Sequence, residues 1–110
     1  MSNQENPKHL LVQTTCPDLE SARNLAKSLL DQKLAGCINM VSGIESHYNW
    51  EGKRKSGEEV LLLIKTRAEL YPALESQIAS GHPYELPEII AVPLSTGLPA
   101  YLNWISDSTR

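Results

Sequence analysis

From His9 to Thr15 the apolar residues Leu10, Leu11 and Val12 follow one another, the short bounded run of a first strand. Pro17-Asp18 closes it. Asp18 is placed to cap a helix, because a carboxylate there accepts from the unpaired amides of the first turn. Ala22, Leu25, Ala26, Leu29, Leu30 and Leu34 then recur at steps of three and four, which makes one apolar helical stripe with Gly36 as its exit. Cys37 to Val41 reads as a second strand, interrupted by Ser42-Gly43 and resumed from Ile44 to Trp50. The resumed part alternates Ile44, Ser46, Tyr48 and Trp50 on one face with Glu45, His47 and Asn49 on the other. Glu51-Gly52-Lys53 turns the chain back, with Lys53-Arg54-Lys55 in the hairpin turn. Glu58 to Thr66 forms a third strand whose centre, Val60-Leu61-Leu62-Leu63-Ile64, is apolar without alternation. The spacing of Leu70, Leu74 and Ile78 predicts a second helix from about Leu70 to Ser80, with Pro72 tolerated where first-turn amides have no partner. Ile89 to Leu94 is a fourth strand, and Pro99 to about Ser106 a short third helix.

The order strand, helix, strand, strand, helix, strand is the split βαβ pattern of an α+β, ferredoxin-like sandwich, extended here by a C-terminal helix. Such a sheet carries helices on one face only. Yet the third strand and Ile89-Ile90-Ala91-Val92 are apolar on both faces, so something else must cover the second face, and another copy of the chain is the simplest cover. Pro93 cannot donate to a ladder, which places the fourth strand at an edge. The long second and third strands are expected to project as a hairpin with edges free for pairing between subunits.

A chain of 110 residues, 41% hydrophobic and 21% charged, fits one domain over residues 9–110, preceded by a polar stretch, 1–8, expected to be flexible. The net charge of -3 gives no footprint for nucleic acid, whose phosphates call for clustered Lys and Arg, and Lys53-Arg54-Lys55 reads as a solvated edge. No apolar run reaches a bilayer span and the N-terminal stretch has no apolar signal-peptide core, so a soluble cytoplasmic protein without membrane contact is expected. Cys16 and Cys37 lack the spacing of zinc or iron–sulfur ligands and are expected to be free thiols.

The segment Gly81-His82-Pro83-Tyr84-Glu85-Leu86-Pro87-Glu88 concentrates the chemistry. Its prolines fix φ and remove donors, so His82 is displayed from a stiff corner beside Tyr84, Glu85 and Glu88; the competing reading is a helix stop and strand lead-in. Cys16 lies where the first strand meets the first helix. The helix dipole there favours thiolate, hence a soft metal or a nucleophilic role, whereas a packed junction would make it a small buried hydrophobe. His9 and His47 lie on strands without a ligand-type neighbour. The order of elements, as read, sets the His82 junction at the sheet end opposite Cys16 unless a neighbouring subunit intervenes. A thiolate–imidazole pair would suit copper or zinc alike. Lys65 ends an apolar strand and needs a carboxylate or water, with Glu59 reachable only through another subunit. Tyr48 and Trp50 suit an interface. No phosphate loop, GxGxxG, GxSxG or Ser-His-Asp set occurs, and nothing requires an enzyme.

Thr15-Cys16-Pro17-Asp18, Leu34-Ala35-Gly36-Cys37-Ile38-Asn39, Ser46-His47-Tyr48-Asn49-Trp50-Glu51-Gly52-Lys53, Glu59, Ile64-Lys65-Thr66, His82-Pro83-Tyr84-Glu85-Leu86-Pro87-Glu88 and Tyr101-Leu102-Asn103-Trp104 together resemble the CutA divalent-cation-tolerance family, from about Leu10 to Ile105. The resemblance implies a homotrimer of ferredoxin-like subunits, similar in architecture to the nitrogen-regulatory PII proteins and associated with copper and heavy-metal tolerance. It implies copper ligands at Cys16, Gly81 and His82; Gly81 has no side chain, so Cys16 and His82 remain. The expectation is a cytoplasmic homotrimer that binds copper(II) or another divalent cation through His82 and Cys16, with no catalytic cycle. The alternative is a PII-like signalling or scaffold trimer whose intersubunit clefts, lined by Lys65, Glu59, Tyr84 and Trp50, take a small anionic ligand or a protein partner. An enzyme using Lys65 or Cys16 as nucleophile would lack a base and an oxyanion set.

Overall fold

The computed structural model describes residues 7–110; the expected flexibility of residues 1–8 therefore falls, for 1–6, outside the described residues. The elements are β1 (His9–Cys16), α1 (Leu19–Asp31), β2 (Cys37–Trp50), β3 (Lys53–Arg67), a 3-10 turn (Ala68–Leu70), α2 (Tyr71–Gly81), β4 (Ile90–Pro93) and α3 (Pro99–Asp107). The sheet runs β2-β3-β1-β4 with every neighbouring pair antiparallel. This is the ferredoxin-like α+β order, and β4, which carries Pro93, lies at the edge as the missing donor requires.

The core lies between the sheet and the helices. Val12 and Cys16 of β1, Val60, Leu62 and Ile64 of β3, Leu25 and Leu29 of α1, and Leu74 and Ile78 of α2 are all buried there, each large aliphatic side chain contributing about 1.5–3 kcal/mol. The alternate residues of the same strands point the other way. Leu11, Leu61 and Leu63 are only half-buried, while Ile90 is 53% and Val92 51% exposed, so the second apolar face is bare in the single chain.

Asp18 caps α1 as its position predicts, Oδ1 accepting from the Ser21 amide at 2.8 Å. The exit differs from expectation. The helix closes with Lys33 in the left-handed region, φ 56°, while the Lys33 amide donates to Leu30 O and the Leu34 amide to Leu29 O, both at 3.0 Å. That pair of bonds is a Schellman closure, which needs a left-handed residue three positions before Gly36. Gly36 serves a different purpose: a Cβ there would sit 3.3 Å from the Ile105 backbone, so its small size admits buried Ile105 of α3.

The hairpin is longer than its composition suggests. β3 begins at Lys53 and not Glu58, and Lys53, Arg54 and Lys55 pair with Trp50, Asn49 and Tyr48; they belong to the strand and not the turn. The turn is Glu51-Gly52, with φ of 50° and 76°, the two left-handed residues of a tight type I′ connection. Ser42-Gly43 does not break β2 but forms a register shift between Val41 and Ile44. The β1–β3 ladder stops at Cys16–Val60, so Ile44 to Glu59 is a ribbon whose two strands pair only with each other.

Candidate functional site

Chain direction decides what meets at the sheet end. β1 rises to Cys16, α1 descends, β2 rises, β3 descends and α2 rises again, so the C-terminus of α2 reaches the Cys16 end. The expected placement of His82 at the opposite end is corrected: Cys16 Sγ and His82 Nε2 lie 4.0 Å apart within one chain. The β2–β3 hairpin adds the reversal that brings α2 back to the Cys16 end.

His82 leaves α2 in extended conformation, φ -86° and ψ 139°, with Pro83 preventing further helix. Its Nδ1 accepts from the Tyr84 amide at 3.1 Å, which leaves Nε2 as the protonated nitrogen, donating to Thr15 O at 2.7 Å. An amide can only donate and a carbonyl can only accept, so these partners assign the tautomer. No imidazole lone pair is left over in this arrangement. The ring leans on Tyr84, centroids 4.9 Å apart.

Tyr84 in turn donates its hydroxyl to Glu59 Oε2 at 2.8 Å. Burial disfavours the Glu59 anion, but hydrogen bonds from Ser46, Tyr84 and Thr15 and the proximity of His82 outweigh it and hold the carboxyl below its ordinary range. Burial, reinforced by Glu59, pushes the Tyr84 phenol far upward. Cys16 is fully buried. Burial raises its thiol, Asp18 and Glu59 add to the rise, and the Ser21 hydrogen bond opposes it. Desolvation thus opposes the thiolate that the helix N-terminus favours, and full burial agrees with the reading of Cys16 as a small buried hydrophobe at a packed junction.

The remaining residues scatter. Glu85 is exposed, and Glu88 accepts from Gln13 Nε2 at 2.9 Å. Lys65, six residues along β3 and about 20 Å from Glu59, donates to Asn39 Oδ1 and approaches Cys37 Sγ at 3.8 Å. Trp50 pairs with Lys53 beside the ribbon turn. Of the four cleft residues, a single chain therefore joins only Glu59 and Tyr84. His47, read as lacking a ligand-type neighbour, meets Glu45 at 2.6 Å, a same-face contact visible in the alternation; His9 bonds Ser106 Oγ at 2.8 Å. Among the described residues no three of His, Cys, Asp and Glu gather in a geometry that would hold a metal ion. Thr15 and Ser46, which the sequence did not mark, complete the Glu59 environment. Thr15 is the chain neighbour of Cys16, whereas Ser46, opposite Gly57, is a diagonal cross-strand neighbour of Glu59, a relation that depends on the hairpin register.

Fold and site together define a ferredoxin-like α+β domain whose sheet end carries a locked imidazole, a tyrosine–glutamate pair and a buried thiol. The family model described as CutA1 divalent ion tolerance protein matches residues 10–108. The chain belongs to that family. It is 46% identical to the chloroplastic protein CutA of Arabidopsis thaliana over 101 residues, which cover 92% of this chain and 56% of that protein. It is 40% identical to the divalent-cation tolerance protein CutA of Thermus thermophilus, over 90% of this chain and 96% of that protein. The crystal structure of CutA1 from Oryza sativa superposes with a TM-score of 0.91 at 44% identity, covering 96% of each chain. The chain thus spans little more than half of the plant protein's length and nearly all of the bacterial one. One relative is named chloroplastic and another, from Archaeoglobus fulgidus, periplasmic. No helix among the described residues is long and apolar enough to cross a membrane.

Proposed function

We propose that this chain serves divalent-cation tolerance as a homotrimer, meeting its cargo ion, copper(II) foremost, at the corner of His82 and Cys16. Family membership supports the tolerance role, and the 4.0 Å approach of thiol and imidazole carries the choice of site. The corner does not fit a resident ion. Both His82 nitrogens are engaged, burial keeps the thiol protonated, and Gly81 contributes no side chain. The contact proposed is accordingly weak and exchangeable, with tolerance resting on the trimer and not on permanent metal storage. Free Cys16 and Cys37 favour a reducing compartment, and we place the protein in the cytoplasm.

Calorimetric titration with copper(II), on the wild type and on His82→Ala and Cys16→Ser, tests this. Exchangeable binding that weakens in both variants is expected. An affinity that neither substitution changes overturns the site, and a resident ion surviving dialysis against chelator overturns the exchangeable contact.

A further inference from the structure

We infer that the groove between α1 and α2 is a binding site for a neutral, polyhydroxylated molecule of about the size of one sugar ring. It holds about 340 Å³, within the roughly 300–1,000 Å³ of small-molecule sites. Ser21, Asn24 and Ser28 enter its lining from α1, and their steps of three and four put them on one helical face. Gln77 and Ser80 face them from α2, Leu25 lines it between the helices, and His82 with Pro83 closes one end.

The hydrogen-bonding capacity of this lining suits hydroxyls. Ser80 Oγ donates to Gln77 O at 3.2 Å and keeps lone pairs for a ligand, while Ser21 Oγ is shared between Asp18 O, at 3.2 Å, and the Cys16 thiol. Ser28 Oγ accepts from Gln32 Nε2 at 3.0 Å and keeps its proton to give. The carboxamides of Asn24 and Gln77 both donate and accept. A sugar hydroxyl, itself donor and acceptor, can satisfy either kind of neighbour. Phosphate or carboxylate finds no counter-charge: no cationic side chain is among the groove's lining residues, and the positive end of α1 and the negative end of α2 meet at the same edge and offset one another. His82 uses both nitrogens inside the protein, so with Leu25 and Pro83 it offers an apolar surface to the C–H side of a ring.

Gly81 keeps this end open. Gly81 is itself a lining residue, and a Cβ there would meet nothing within 4 Å, so the protein accommodates a larger side chain at this rim without a clash. The groove belongs to the helix layer, on the other side of the sheet from the bare apolar face, and stays accessible when that face is covered. The groove shares His82 with the proposed metal corner but uses the face of its ring and not its nitrogens.

Nuclear magnetic resonance titration of the full chain with glucose, and with glucose 6-phosphate as the charged probe, provides the test. Glucose should produce saturable shifts at the Asn24, Ser28, Ser80 and Gly81 amides, with the phosphate binding about tenfold more weakly, a difference of about 1.4 kcal/mol. Ser28→Leu and, separately, Gly81→Leu should abolish the shifts while the chain keeps its melting temperature; if one variant fails to fold, the other decides. Absence of saturable shifts up to the solubility of glucose, tighter binding of the phosphate, or retention of binding in a folded variant overturns the site.

Discussion

His82 shows how one side chain can look like a ligand and act as a brace. Its donor and acceptor are both satisfied by backbone, Thr15 O on one side and the Tyr84 amide on the other, so it ties the end of α2 to the end of β1. Glu59 next to it titrates with a definite sign. Its folded-state pKa lies below the unfolded value, so the ionised carboxylate stabilises the fold above the ordinary glutamate pKa of about 4.3, and that contribution is lost as pH falls through the folded value. Glu59→Gln is expected to flatten the acid side of the stability-versus-pH curve and to leave the protein measurably less stable than wild type near pH 7; chemical denaturation at a series of pH values measures both, and an unchanged acid limb contradicts it. At this scale the sequence names His82, Tyr84, Glu59 and Cys16 but not their meeting. Their proximity depends on counting chain reversals correctly, and the imidazole's state depends on two backbone atoms that no side-chain motif reveals.

Among the elements, periodicity reads the buried stripe of α1 and the apolar centre of β3 well, because burial itself writes those patterns. It reads their ends poorly. Lys33 holds the left-handed position of the α1 exit although any L side chain there costs about 1–2 kcal/mol, and Gly36 drew the assignment for a residue whose purpose is contact with Ile105. Lys33→Gly is therefore expected to stabilise the chain by about 0.5–1 kcal/mol, the relief of strain less the added freedom of the unfolded glycine. Gly52→Ala, at φ 76° in open space, should destabilise by about 1 kcal/mol through backbone strain alone. Urea denaturation of both variants measures the pair, and the same sign for the two would refute this account of the turns. The basic start of β3 hides for a related reason: Glu51, at φ 50°, is an uncommon left-handed residue, so composition does not mark Glu51-Gly52 as a two-residue turn.

For the molecule as a whole, the two sides of one sheet make different demands. Leu62 points to the helices and is fully buried, while Val92 points away and is half exposed. Val92→Glu should leave the secondary structure of the subunit intact and shift sedimentation from three times 12.2 kDa toward the single-chain mass, because a carboxylate buried without a partner between subunits is strongly disfavoured. A wild-type chain that is monomeric and stable at micromolar concentration, or a Val92→Glu protein of unchanged mass, contradicts the proposed trimer. The doubly apolar strands made this face legible from sequence. The ribbon from Ile44 to Glu59 adds a kinetic consequence. A two-stranded hairpin is marginal in water by itself, so its amides should exchange with solvent deuterium at rates that slow as protein concentration rises, while those of β1 and the centre of β3 stay slow throughout. Association would then be recorded as a clock in the ribbon, with local order arriving only after the neighbour does.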